Sequence, residues 1–225
     1  MLTIHQRYLL EKDGYVFIPE FLPNNDIISC GKIIGEIIAP LIYPNGFSAG
    51  VFDTLIPKNK KNLNKNTYSA IFGFADFPFH TDLAHTTSPP QYLLLRCVEG
   101  AKDVKTHILS SKSILENYDN IKLKKSIFKS RDNMISRVSF PLPLVFDGRF
   151  IRWDSVFLEP VNKNAEDFYN WMSVKKWEGY QNSYSLLKKG DTLIINNWKS
   201  LHSRSSVSEK DKLRIVERIY LSEIW

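Results

Sequence analysis

Two cysteines, Cys30 and Cys97, are all that the chain offers, and they lie far apart. That number and spacing exclude a disulfide framework and a thiolate metal site. Two buried small side chains in a reducing compartment are expected instead. Long apolar runs are missing as well: no stretch reaches the roughly 18 residues that span a bilayer. The first eight residues lack the basic-then-apolar order of a signal peptide. A soluble cytoplasmic protein with no membrane partner is expected. There is no internal repeat, no zinc-finger spacing and no Arg-rich helix. The formal charge of +6 is therefore read as solvated loop charge rather than as a nucleic-acid groove. Much of it sits in Lys58, Lys60, Lys61 and Lys65 and in Lys122, Lys124 and Lys125.

What the chain has is aromatic mass. Fourteen Phe, ten Tyr and five Trp among 225 residues favour a sheet-rich core, because flat side chains pack well on pleated surfaces. The length suits one domain. Residues 4–14 read as a helix stopped by Gly14, with Ile4, Tyr8 and Leu9 on its apolar face. A short β run follows over 15–18. A second helix is predicted over 26–39, capped by Asn24, Asn25 or Asp26. Residues 44–66 read as a long surface loop over the pocket, around the apolar run 50–56. From about residue 68 the pattern is β, with strands over 92–98, 105–109, 136–140, 144–146, 149–153, 192–195 and 213–221. Helices are predicted over 113–125, with Ser113 as cap, and over 164–172. Asp147-Gly148 predicts a hairpin turn. Helices followed by many strands fit an α+β fold built on a sandwich or barrel. The helical part spans about 1–40 and the β core about 68–225 of a single domain, 1–225.

Three pieces of sequence point to one chemistry. His80-Thr81-Asp82 carries an imidazole and a carboxylate two positions apart; on a strand these share a face. His202 supplies a second imidazole far downstream. Two His and one carboxylate make the facial triad of non-haem iron(II) oxygenases, which leaves coordination sites for 2-oxoglutarate and dioxygen. Arg214 offers a guanidinium fork for the far carboxylate of the co-substrate. Taken singly each is weak, since a lone His or a late Arg is more often structural. Their joint order is what carries the reading.

The run from Phe79 through His80, Asp82, Pro89 and Pro90 to Cys97 resembles the iron-binding segment of the taurine dioxygenase and clavaminate synthase-like oxygenases. The run from Gly190 through Asn196, Asn197 and His202 to Arg204 is similar to that family's distal segment. Arg214 and Arg218 resemble its paired arginines. The similarity covers roughly residues 76–225. It implies a double-stranded β-helix, or jelly roll, with flanking helices. It implies iron(II) on His80, Asp82 and His202, 2-oxoglutarate as co-substrate and dioxygen as oxidant. Arg214 would hold the far carboxylate, and Thr106 would add a hydroxyl to it. The chain reads Asp103-Val104-Lys105-Thr106 where the family has Gly-Gly before the Thr, so His107 is an alternative to Thr106. Asn196 stands where Asp is common, and Ser203 where Gly is common. The carboxylate at 82 implies hydroxylation or desaturation, because related halogenases have a small residue there.

The resemblance also implies a small-molecule substrate, an amino acid or other small acid. Arg218 matches an arginine that meets a substrate acid group or the co-substrate. Arg152 and Asp154 lie in an Arg-aromatic-Asp stretch similar to that of family members acting on free amino acids, where they could meet a zwitterion. The alternative is a surface pair on one strand face. His85 is expected to be structural. Two rival functions remain: a nucleic-acid-repair oxygenase, which the positive charge suits but the tail Leu213-Arg-Ile-Val-Glu-Arg218 does not match, and a non-catalytic jelly-roll binding domain. The sequence is silent on oligomeric state.

Overall fold

The computed structural model describes residues 1–39, 50–58, 67–131, 140–147 and 150–225. Helix α1 (Ile4–Asp13) starts on a capping box. The Thr3 hydroxyl accepts the Gln6 N–H at 3.1 Å, and the Gln6 side chain accepts the Thr3 N–H at 2.9 Å. It ends at Gly14, whose φ of 82° lies in the left-handed region. Its buried side differs from the expected face: Leu10 is buried, whereas Ile4 and Tyr8 are exposed. Strand β1 (Tyr15–Ile18) follows.

Helix α2 (Ile27–Ile34) is capped by Asp26, which accepts the Ser29 N–H at 2.8 Å. It is shorter than the helix expected over 26–39, because its last residues form strand β2 (Gly35–Ile38). The apolar residues Ile37 and Ile38 are β-branched and suit a strand equally well. Gly35 fixes the switch. A Cβ there would lie 1.9 Å from the carbonyl oxygen of Glu223, so only glycine allows this approach of backbone to backbone.

The chain continues through β3 (Asp53–Leu55), α3 (Tyr68–Phe72), β4 (Phe77–His80), β5 (Tyr92–Glu99) and β6 (Lys105–Ser110). Then come α4 (Ser111–Asn117), α5 (Asn120–Lys125), β7 (Ile127–Ser130), β8 (Leu142–Pro143), β9 (Val145–Phe146), β10 (Phe150–Ile151) and β11 (Leu158–Pro160). The last elements are α6 (Lys163–Val174), β12 (Gln181–Ser185), β13 (Thr192–Asn196), β14 (Ser200–Arg204) and β15 (Ile215–Ile224). The helix expected over 113–125 is two helices, capped by Ser110 and Asp119, with extended Tyr118 between them. Ser113 lies inside the first. β9 and β10 pair antiparallel, as the expected hairpin requires, while Gly148 of its turn lies outside the described residues. The strand expected over 136–140 and most of the loop expected over 44–66 lie outside the described residues.

One sheet runs β1-β13-β5-β15-β2, with β3 beside β2 on the same edge of β15. The other runs β12-β6-β14-β4. Between them Leu93, Leu95, Leu193, Ile195, Val216 and Ile108 form a buried core. The outer face of the first sheet, through Leu94, Ile194 and Ile219, is covered by Leu10, Ile27 and Ile34 of the first two helices. A separate core around Phe128, Ile151, Trp153 and Phe168 supports the segments from β7 to α6. Two facing antiparallel sheets with helices outside are the double-stranded β-helix. No helix among the described residues is long and apolar enough to cross a membrane.

Gly35→Ala should force β2 away from the end of β15. Overpacking of this kind costs about 1–3 kcal/mol. Urea unfolding should show a lower midpoint with an unchanged slope; an unchanged midpoint would mean that the approach of β2 to β15 is not constrained.

Candidate metal centre and co-substrate pocket

The second sheet brings the two histidines together. His202 on β14 is the direct antiparallel partner of His80 at the end of β4. Directly opposed residues share a face, and the two rings lie with centroids 4.3 Å apart. Asp82 reaches the same point by a different route from that expected. β4 stops at His80, so strand alternation does not aim the carboxylate. Asn197 does: its side-chain oxygen accepts the Asp82 N–H at 2.9 Å, and its amide donates to the Asp82 carbonyl at 3.0 Å. The Thr81 N–H donates to the Trp153 carbonyl at 2.7 Å and pins the turn from the other side.

The result is a compact donor set. Ligand atoms of His80, Asp82 and His202 all lie within 4.8 Å of one another, and all three residues are buried. Asp82 Oδ1 is 3.4 Å from His80 Nε2 and 3.6 Å from His202 Nε2. His80 Nδ1 lies 2.9 Å from the Pro78 carbonyl. A proton on Nδ1 satisfies that carbonyl and leaves the Nε2 lone pair facing the centre. Burial opposes ionisation of Asp82, but the Arg218 guanidinium and the two histidines hold its carboxyl well below the usual range. Two neutral imidazoles and one carboxylate fit a divalent transition metal such as iron(II).

Tyr68 stacks on His80 at 4.3 Å between centroids and meets Phe72, Phe77 and Phe157. This aromatic wall shields one side of the centre. Asp154, buried, accepts the Val156 and Phe157 N–H groups at 2.7 and 2.9 Å. Burial raises its carboxyl above the usual range even though His80 is near. Burial and the neighbouring Asp154 carboxylate push the Tyr68 hydroxyl well above its usual range, and among the described residues both His85 ring nitrogens have no hydrogen-bond partner. Burial pushes His85 down to about 4, which makes it a neutral ring.

Among the described residues Arg214 is a buried guanidinium without an anion: its Nε has no hydrogen-bond partner, and no acidic side chain pairs with it. Burial pushes it down to about 10. Such a group is costly unless an anion arrives, and a carboxylate of a bound co-substrate is such an anion. Arg214 precedes β15, and the register shifts between Ile215 and Val216. Simple strand alternation therefore does not place Arg214 on the face of Arg218. Thr106 is buried on β6 and lies opposite Arg204, with Ile108 opposite His202. That register puts Thr106 on the His202 face. His107 points to the other face, with Nδ1 2.7 Å from the Ser183 hydroxyl. Of the two alternatives, the geometry offers Thr106 to the pocket.

Two residues expected at the substrate are engaged elsewhere. Arg152 is neither exposed nor free: it is buried and donates to the carbonyls of Ala84, Thr86 and Thr87 at 3.2, 2.6 and 3.1 Å. It clamps the turn after Asp82. Arg218 donates to Asp82 Oδ2 at 2.9 Å and to Asp53 Oδ2 at 2.7 Å. Sequence reasoning missed Tyr220, whose hydroxyl donates to the same Asp82 Oδ2 at 3.0 Å. Its position two residues after Arg218 on one strand was the available signal. It also missed Asn197, although that residue lies in the quoted distal run, and Tyr68, for which nothing local spoke.

No protein-family model matches the chain, and no curated protein matches it. Solved structures do. An asparagine oxygenase, solved with Fe(II), 2S,3S-3-hydroxyasparagine and succinate, aligns at TM-score 0.63 and 16% identity, over 84% of this chain and 60% of that one. The non-heme iron oxygenase OrfP, with Fe and alpha-ketoglutaric acid, aligns at 0.65 and 17%, over 98% of this chain and 78% of that one. PvcB from Pseudomonas aeruginosa aligns at 0.65 and 16%, over 96% of this chain and 78% of that one. This chain spans about 60% of the length of the asparagine oxygenase. At these identities the likeness is one of fold. The chain has the double-stranded β-helix of the iron- and 2-oxoglutarate-dependent oxygenases, with a His-x-Asp…His set at its centre.

Proposed function

We propose that residues 1–225 form one oxygenase domain that uses iron(II), 2-oxoglutarate and dioxygen to hydroxylate or desaturate an unactivated C–H bond of a small molecule, an amino acid or other small acid. The observation that carries this reading is the pairing of a buried two-His, one-carboxylate centre with a buried, unpaired Arg214. Iron(II) bound there supplies, with 2-oxoglutarate and dioxygen, the oxidising power to break a C–H bond, while the co-substrate leaves as succinate and CO2. The chain's own residues do the rest. His80, Asp82 and His202 bind the metal on one face. Arg214 holds the far carboxylate in a bidentate pair, with the Thr106 hydroxyl beside it. Tyr68, Phe72, Phe77 and Phe157 exclude water from the reacting carbon.

For the substrate, Asp154 is the residue left to meet an amino group: it is a buried carboxyl close to His80 and Tyr68, and an ammonium beside it would favour its charged form. The complexes of the asparagine oxygenase and OrfP with hydroxylated amino acids support an amino-acid substrate. Arg218 and Arg152, held as described, leave the carboxylate end of such a substrate to other donors.

Two outcomes are expected. Screened against amino acids and small acids with iron and ascorbate, the protein should release succinate in step with product, and His202→Ala should release none. A wild type that binds iron and 2-oxoglutarate but turns over nothing across the screen would place the substrate outside this class; failure to bind either would remove the oxygenase reading. Arg214→Ala should weaken 2-oxoglutarate binding to the Mn(II)-loaded protein about a hundredfold or more, because losing one partner of a buried charge pair costs on the order of 3–5 kcal/mol. Calorimetric titration measures it, and unchanged affinity would exclude Arg214 from the co-substrate site.

A further inference from the structure

The two oxygens of Asp82 have different neighbours. Oδ1 faces both histidine Nε2 atoms. Oδ2 faces away from them and accepts two hydrogen bonds, from Arg218 Nη1 at 2.9 Å and from the Tyr220 hydroxyl at 3.0 Å. Arg218 is fixed at its other end, where Nη2 donates to Asp53 at 2.7 Å. That contact follows from register: Asp53 on β3 lies directly opposite Arg218 on β15. The guanidinium carbon also lies 5.0 Å from the centre of the Tyr220 ring. The fork thus joins two carboxylates, one nitrogen to each, and rests on an aromatic ring.

We propose that Arg218 is a positioning residue for the metal centre: with Tyr220 it occupies Asp82 Oδ2 and so holds that carboxylate to one-oxygen coordination. This rests on the metal-centre reading above. The physical argument is one of competition. A carboxylate free to turn can offer both oxygens to a metal, and the second would fill a coordination position. A facial centre must keep three positions open for a chelating co-substrate and dioxygen. Two donors on Oδ2, one of them cationic, favour the one-oxygen mode. A substrate acid that took up Arg218 would have to displace Asp82 or Asp53. Asp53 gives β3 a role as well, since docking of three residues on the edge of β15 presents the carboxylate that orients the fork.

The test uses the full chain with Mn(II) as probe, whose bound waters are counted by electron–nuclear double resonance. Wild type should hold Mn(II) with three exchangeable waters. Arg218→Met should hold Mn(II) with one water fewer. Its 2-oxoglutarate affinity in the Mn(II)-loaded state should fall about 10–100-fold, the range typical for losing an outer partner of a metal ligand. Arg218→Lys should restore the third water. Tyr220→Phe, which deletes one hydroxyl, should lose part of the third water's occupancy and bind 2-oxoglutarate several-fold more weakly; it decides the matter if Arg218→Met does not fold. Three waters in both Arg218→Met and Tyr220→Phe would overturn the proposal, whatever happens to activity. A wild type that binds no Mn(II) would instead overturn the metal-centre reading beneath it.

Discussion

The centre of this molecule depends on one carboxylate with two sets of neighbours. Asp82 lies past the end of its strand, in a turn with no regular structure to aim it. It is held at the backbone by Asn197 and at one oxygen by β15, leaving the other oxygen for the histidines. Each contact comes from a different part of the fold: the turn after β13, the long last strand, and the pairing of β4 with β14. The two sheets must both be in place, and in register, before the three donors can converge. A shift of one residue between β14 and β4 would turn His202 to the opposite face.

The electrostatic arrangement follows from the same geometry. The described pocket holds several buried charged groups, which are costly one at a time. Asp82 is paired with Arg218, and Arg152 is satisfied by three backbone carbonyls. Arg214 stands apart: it is buried, and among the described residues no acidic side chain pairs with it. A buried guanidinium in that state favours the arrival of an anion. Arg204, two positions after His202 on β14 and close to Arg214, is already bonded to the carbonyls of Gly73 and Ala75 and lies over the Phe77 ring. It raises the local positive potential without offering the same vacancy.

Much of the site was legible in the sequence. The ligand types and their order predicted the triad, and the resemblance predicted the fold. What the residues could not reveal was which guanidinium is free. Arg152, Arg214 and Arg218 look alike in one dimension; the carbonyls of 84–87 and the carboxylate of Asp53 that engage two of them come from distant or unpatterned segments. Local rules failed for a similar reason at two other places. Ile37 and Ile38 fit a helical face or a strand, and the close approach of Gly35 to Glu223 decides between them. Ile4 and Tyr8 looked like an apolar face, yet the sheet that α1 covers takes Leu10 instead. Tyr220 was passed over because a tyrosine in a strand is ordinary until a carboxylate is seen beside its hydroxyl, even though it shares a strand face with Arg218.

The strand order has a consequence for how the chain reaches this state. β1 pairs with β13, and β5 is flanked by β13 and β15. The first sheet thus joins strands far apart in sequence: β1 (Tyr15–Ile18) meets β13 (Thr192–Asn196), and β5 gains its second neighbour only with β15 (Ile215–Ile224). Contacts of such long sequence separation slow folding and leave strand edges open to wrong partners in the interval. Loss of residues 215–225 would remove Arg218 and Tyr220 from Asp82 Oδ2 and leave that carboxylate held at its backbone alone, by Asn197.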